Sequence, residues 1–298
     1  MSFRIVGLGE ILWDVLPTGR QLGGAPANFA YHAAALGAES RIVSRIGHDD
    51  LGRAVLARLG ELGLATDAIE TDPTAPTSTV TVALEPGGHP HYTIHENVAW
   101  DRLAGEPAAR AAVAAADAIC FGTLAQRSEP ARNAIRSLLR LTRPEALRVF
   151  DINLRQHYFS RELIAESLAL ASVLKVNETE LPELIRLFTL PRDERAALAA
   201  LASQFSLRAI AYTRGASGAL LYAEGTWFDH PGVRVTVADT IGAGDSFTAA
   251  FTLGLLHGWS LATIAERAIA ISAYVCSQPG ATPQLPPELT MAFRGGTR

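Results

Sequence analysis

The segment Arg4–Gly63, RIVGLGEILWDVLPTGRQLGGAPANFAYHAAALGAESRIVSRIGHDDLGRAVLARLGELG, sets the rhythm that decides the fold. Arg4–Leu8 reads as a strand and Ala25–Leu36 as a helix stopped by Gly37. Ser40–Ile46 is the next strand, and Asp49–Leu62 the next helix, closed by Gly63. Further strands are predicted at Ala118–Phe121, Arg148–Ile152, Val173–Val176 and Arg208–Thr213, each followed by a helical segment. Such alternation folds as an α/β protein, a mostly parallel central sheet with helices on both faces. One stretch breaks the rhythm. Thr77–Leu84 alternates at period two, Glu85–Gly88 is a turn, and His91–His95 alternates again. That hairpin, with Ile11–Leu16 as a third strand, predicts a small antiparallel sheet half open to solvent. A β flap beside an α/β domain is a lid over a cleft. The expectation is one domain over residues 1–298, with lid segments near 11–22 and 76–98.

Composition narrows the function. The chain has 298 residues, 48% apolar and 19% charged, with a formal net charge of −4. That length is near the upper limit of one hydrophobic core, and the apolar content excludes a disordered or fibrous chain. Lys175 is the only lysine among 26 basic residues, and no basic run offers a surface for nucleic acid. Lys175 follows Leu174, which excludes the lysine-bearing phosphate loop G-x-x-x-x-G-K-[ST]. Cys120 and Cys276 lie in apolar stretches and read as buried thiols of a reducing compartment. Glu10 and Asp14 interrupt the first apolar stretch, which is therefore neither a signal peptide nor a membrane span. A cytoplasmic protein without nucleic-acid or membrane partners is expected.

Two motifs carry the chemistry. Asp239-Thr-Ile-Gly-Ala-Gly-Asp-Ser-Phe247 precedes the apolar helix Thr248–Leu256. Gly242 and Gly244 allow close backbone approach and, with Ala243, leave N–H groups free at a helix N-terminus, where anions bind. A carboxylate at that point, Asp245, would repel a phosphate held there for its own sake. It makes sense where a hydroxyl must lose a proton while an attacked phosphoryl group gathers charge. A capped helix with glycines for packing would explain less of the motif. The second motif, Gly23-Gly-Ala-Pro-Ala-Asn28, opens the first long helix, and Asn28 offers a donor and an acceptor to a polyhydroxylated ligand. Other polar residues fall at the carboxyl ends of predicted strands, where ligands of open α/β sheets bind. They are Gly122-Thr123, Asp151-x-Asn153-x-Arg155, Asn177 with Glu180, and Thr213-Arg214-Gly215. Each of these alone could equally be a cap or a turn. Ile5–Leu12 begins like a dinucleotide fingerprint, but Leu12 stands where the third glycine is needed. His89, His91 and His95 share one parity of the flap and could ligate a metal, though a solvated strand face is the simpler reading.

Together, GGAPANFAYHAAALG (Gly23–Gly37) and DTIGAGDSF (Asp239–Phe247) resemble the two signatures of the ribokinase-like, or PfkB, carbohydrate kinases. IGHDDLG (Ile46–Gly52), FDINLR (Phe150–Arg155), VNETE (Val176–Glu180), TRGASGA (Thr213–Ala219) and PGA (Pro279–Ala281) fall in the family's order. The resemblance implies a ribokinase-like fold and an ATP-dependent sugar kinase with Asp245 as base. The N–H groups around Gly242, Ala243 and Gly244 become the anion hole. It implies that Asp14, Gly24 and Asn28 hold sugar hydroxyls, with Asn153 and Arg155 nearby. Asn177 and Glu180 match the N-x-x-E motif that organises Mg²⁺ and phosphate through water. Thr213, Gly215 and Gly218 line the ATP site. A monovalent cation such as K⁺ would use Asp239, the backbone of Ile241 and the loop at Gly280. The flavour is fructokinase-like, with fructose as the favoured substrate. A 2-keto-3-deoxygluconate kinase or a nucleoside kinase of the same family is the alternative, and an inactive sugar-binding regulator is the alternative of another class. The lid also offers a face on which two copies could pair into a homodimer.

Overall fold

The structure, a computed structural model, describes residues 2–16, 19–84 and 90–294. The strands are β1 (Arg4–Leu8), β2 (Leu12–Leu16), β3 (Gly19–Gly23), β4 (Glu39–Gly47), β5 (Ile69–Asp72), β6 (Thr79–Leu84) and β7 (Pro90–Ile94). They continue as β8 (Ala118–Phe121), β9 (Leu147–Asp151), β10 (Val173–Asn177), β11 (Ala209–Thr213), β12 (Ala219–Ala223) and β13 (Thr226–His230). The helices are α1 (Ala25–Ala35), α2 (Asp50–Glu61), α3 (Pro107–Ala115), α4 (Glu129–Leu139) and α5 (Arg161–Leu170). After them come α6 (Leu181–Phe188), α7 (Glu194–Phe205), α8 (Ala243–Leu256), α9 (Leu261–Cys276) and α10 (Pro287–Arg294).

Among the described residues nine strands form one sheet in the order β13-β12-β11-β10-β9-β8-β1-β4-β5. From β11 through β5 every pairing is parallel. The alternation read from the sequence is confirmed by side-chain parity. Ile119, Phe121, Leu174 and Val176 enter the core under α3 to α7, whereas Ala118, Cys120, Val149 and Val173 enter the core under α1, α8 and α9. The chain leaves β1 toward β4 and β5 and later returns toward β8 to β11, so a topological switch lies beside β1. Ligand crevices of open sheets form outside the carboxyl ends of the strands at such a point.

One expectation fails at β11, which is followed by a strand and not by a helix. Glu224 and Gly225 have φ of 48° and 85°, the left-handed pair of a tight hairpin turn that joins β12 to β13 antiparallel. The expected small sheet is present, with four strands in the order β3-β2-β6-β7. Its central pairing, β2 with β6, is parallel, and the two outer pairings are antiparallel. The turn expected at Glu85–Gly88 and His89 lie outside the described residues. His95 pairs through Nε2 with Thr81 Oγ1 at 2.9 Å. No three His, Cys, Asp or Glu side chains converge as metal ligands among the described residues. Cys120 is buried as expected, but Cys276 is only partly buried because it ends α9. No helix of the described residues is long and apolar enough to cross a membrane.

The lid is rooted in the main body by Arg127. Its guanidinium donates to both oxygens of Asp101 at 2.8 and 2.9 Å and to the carbonyl of His95, the residue just after β7, at 2.6 Å. It also lies 4.0 Å from the ring centre of Trp100, which is fully buried. Removing one partner of a buried ion pair leaves the other charged without compensation. Arg127→Met should therefore lower the unfolding free energy by about 3–5 kcal/mol in a urea titration.

Candidate active site

The segment Thr240-Ile-Gly bends into α8 through Gly242, whose φ is 77° and ψ −9°. A side chain at 242 would strain this left-handed backbone and collide with the carbonyl oxygen of Ala281. The first N–H groups of α8 have no acceptor within the helix, and they carry the positive end of its dipole. Asp245 stands in that first turn. Asn28, in the first turn of α1, donates from Nδ2 to Asp245 Oδ2 at 2.8 Å. Two helix N-termini therefore meet at one carboxylate.

Burial raises the Asp245 carboxyl to about 6, and repulsion from Asp151 adds to the rise. Asn28, Lys175 and Arg155 pull in the opposite direction. Burial likewise raises Glu10 to about 7 and Asp14 to about 6, with Arg155 opposing both. Arg155 thus acts electrostatically on three carboxyls, although it is exposed and donates to Leu154 O and Asn153 Oδ1 at 3.3 Å each. Asn153 has φ of 46° and a buried Nδ2 with no acceptor. It lines a small cleft with Ala25, Pro26, Cys120, Gly122, Asp151 and Asp245. Gly24, with φ of 113°, is the N-cap of α1 beside this cleft. The structure therefore gathers Asn28, Asn153 and Asp245 at one place, with Gly24 at its rim, while Asp14 approaches from the lid strand β2.

The residues assigned to nucleotide and cation fall on neighbouring loops. Glu180 is 3% exposed, and its carboxylate accepts from Leu154 N at 3.2 Å and Asn177 N at 2.9 Å. Asn177 Oδ1 accepts from the backbone N–H groups of Thr179 and Glu180 at 2.9 and 3.0 Å, so it closes the turn between β10 and α6. Thr213 ends β11, and Gly215 and Gly218, with φ of 50° and 84°, turn the chain toward β12. An open cleft of about 580 Å³ adjoins them, lined by Arg214, Ala216, Ser217, Asp229 and Pro231 to Arg234. Asp239 accepts from Ile241 N at 3.0 Å and from Gly280 N at 3.1 Å, which brings these three residues together as a clasp between two loops.

Sequence reading missed two supports of the site. His32 is fully buried on α1, and burial lowers it to about 4, so it is neutral and its Nε2 donates to Ala281 O at 2.9 Å. It thereby fixes the carbonyl against which Gly242 packs. Glu10 was legible only as an interruption of an apolar stretch. Its position just after β1, at the switch point, was the available signal. Thr123, flagged at a strand end, is fully buried and donates to Ile152 O at 2.9 Å, so it ties β8 to β9.

The pfkB family carbohydrate kinase profile matches residues 14–288, and the chain belongs to that family. A fructokinase of Klebsiella pneumoniae is 30% identical over 270 residues, 87% of this chain and 86% of that protein. The aminoimidazole riboside kinase of Salmonella enterica, solved with aminoimidazole riboside and an ATP analogue, superposes with a TM-score of 0.78 at 26% identity. That match covers 97% of this chain and 99% of the other. The fold is shared with the ATP-bound fructokinase of Xylella fastidiosa, with a TM-score of 0.84, 23% identity and 97% of each chain covered. The protein is thus a sugar kinase with the ribokinase fold.

The raised carboxyl of Asp245 has a consequence for stability. Its folded value of about 6 exceeds the unfolded 3.8, so the folded state binds the proton more tightly. Stability from this group is present below the lower value and is lost as pH rises through the upper one. Asp245→Asn, which removes the half-buried charge, should raise unfolding free energy at pH 8 by about 1–3 kcal/mol and change it little at pH 4. Chemical denaturation at the two pH values measures this.

Proposed function

We propose that the chain transfers the γ-phosphoryl group of ATP to a hydroxyl of a neutral ketose, with fructose the favoured acceptor. The observation that carries this reading is the half-buried Asp245 carboxylate in the first turn of α8, hydrogen-bonded to Asn28 at 2.8 Å. Asp245 takes the proton of the acceptor hydroxyl. The N–H groups around Gly242, Ala243 and Gly244 receive the charge that gathers on the transferred group, the kind of positioning and stabilisation on which phosphoryl transfer depends. Asn28, Asn153 and Asp14 orient the sugar hydroxyls beside Gly24, and the lid excludes water.

Thr213, Gly215 and Gly218 border the nucleotide in the adjoining cleft. Exposed Val233, Val235, Val237 and Ile241, between β13 and α8, give the base an apolar surface to cover. Glu180 keeps lone pairs for water beyond its two backbone bonds, which fits a Mg²⁺ held through water with Asn177 beside it. Bound with ATP, that ion would neutralise phosphate charge.

Acceptor choice follows from the charges around the cleft. Three carboxyls, Glu10, Asp14 and Asp245, face one exposed guanidinium, and that balance favours a neutral polyol. Arg155 supports a second reading, a sugar acid such as 2-keto-3-deoxygluconate, which it would clamp through the carboxylate. Coupled ADP release over fructose, 2-keto-3-deoxygluconate and ribosides decides between them, with fructose expected to give the highest kcat/KM. If no sugar stimulates ADP release, the chain is a binder and not a kinase. Asp245→Asn should keep ATP binding and lose about 10²–10⁴-fold in turnover. The acid limb of kcat/KM should fall near pH 6, because the base works only when ionised.

A further inference from the structure

Lys175 stands where a charged side chain is least expected. Along β10, Leu174 and Val176 enter the core under α3 to α7, and Val173 enters the core under α8. Lys175 shares the parity of Val173 and is 3% exposed. Asp151 lies beside it in register on β9, with Oδ1 at 3.1 Å from the ammonium. The second oxygen of Asp151 accepts from Thr248 Oγ1 at 2.8 Å, one turn of α8 beyond Asp245. The ammonium reaches the underside of the helix end, for a Cβ added to Gly244 would stand 3.2 Å from Nζ. The chain's only lysine therefore lies directly behind the backbone of the anion-binding turn.

Fold stability is a poor explanation for this placement. A buried ion pair is about neutral against apolar residues of the same volume. A cation behind a helix N-terminus also opposes the dipole, unless negative charge arrives in front of it. We propose that Lys175 is a positioning residue of phosphoryl transfer. Its ammonium, held by Asp151 behind Gly244, keeps the start of α8 at a fixed positive potential for the charge that gathers on the transferred phosphoryl group. This rests on the reading of that turn as the anion hole and of Asp245 as the base. Lys175 touches no substrate and acts through the backbone.

The groups that face Asp245 are Asn28 from α1, Glu10 after β1, Cys120 from β8, Asp151 from β9, Arg155 beyond it and Lys175 from β10. Asp151 raises the Asp245 carboxyl more strongly than Lys175 lowers it. Loss of the ammonium alone therefore leaves the repulsion opposed only by Asn28 and Arg155, whereas loss of both charges relieves it.

The test uses Lys175→Met, the charge-free pair Asp151→Asn/Lys175→Met, and Asp245→Asn. The double variant removes both partners of the Asp151–Lys175 pair and takes from buried Glu180 the ammonium that lowers it, so its fold is checked by circular dichroism and thermal melting. Its kcat should fall at least about tenfold, with KM for sugar and ATP held within about threefold, because the lost stabilisation belongs to the transition state. The acid limb of kcat should move to higher pH in Lys175→Met and to lower pH in the double variant. A structural role would move neither limb in this opposed way. Either folded variant with kcat within about twofold of wild type overturns the proposal. Near-native turnover in Asp245→Asn would instead overturn the base assignment, so the two failures are read separately.

Discussion

Asp245 is a half-buried carboxylate at the point where two helices begin. Such a group is expensive to bury unless hydrogen bonds or opposite charge meet it. Here the compensation comes from the free end of α8, from Asn28 at 2.8 Å and from the field of Arg155 and Lys175. For Asn28 to reach, α1 and α8 must abut at their first turns, and small residues make that approach feasible. A Cβ on Gly242 would strike Ala281 O, and one on Gly7 of β1 would strike the carbonyl of Pro26 in α1. Gly242 is thus explained by close packing against Ala281 as much as by turn geometry.

Sheet topology supplies the rest of the site. Asn28 and Asp245 are 217 residues apart in sequence, yet both helices pack on the same face of the sheet. The carboxyl ends of β1, β8, β9, β10 and β11 then deliver Glu10, Gly122, Asp151, Asn177 and Thr213 along one edge. The lid is two hairpin excursions, β2–β3 between β1 and α1 and β6–β7 between β5 and the Trp100 turn, where Arg127 clamps it through Asp101. Asp14 is therefore carried by a hairpin, β2–β3, whose two ends join β1 and α1 next to the switch point.

How much of this was legible follows from the range of each interaction. Strands such as Ala118–Phe121 and helices such as Ala25–Ala35 declare themselves through local periodicity. The β12–β13 hairpin was missed because its signal is the short pair Glu224-Gly225, with no flanking Asn or Pro to mark it. Asp245, Gly242 and Asn28 were legible since each lies within a motif whose chemistry is local. Asn177 and Glu180 were read as a magnesium motif, and the structure adds what their three-residue spacing does within the fold. The amide oxygen of one and the carboxylate of the other bind backbone N–H groups and close the β10–α6 turn. His32 and Lys175 were illegible as site residues because their partners, Ala281 O and Asp151, are set by tertiary approach and by register between strands.

The scarcity of lysine connects these levels. A phosphate loop with lysine places the cation in front of the helix end, in direct contact with the ligand. In front of α8 an ammonium would also meet Asp245 and pair with its carboxylate. Behind Gly244, the backbone separates the ammonium from that carboxylate, and Asp151 supplies its counter-ion at 3.1 Å. The apolar strand Val173–Val176 can hold it there because the adjacent strand brings Asp151 into register. On this reading the sheet's register, and not a loop, decides how positive charge is presented to the phosphate.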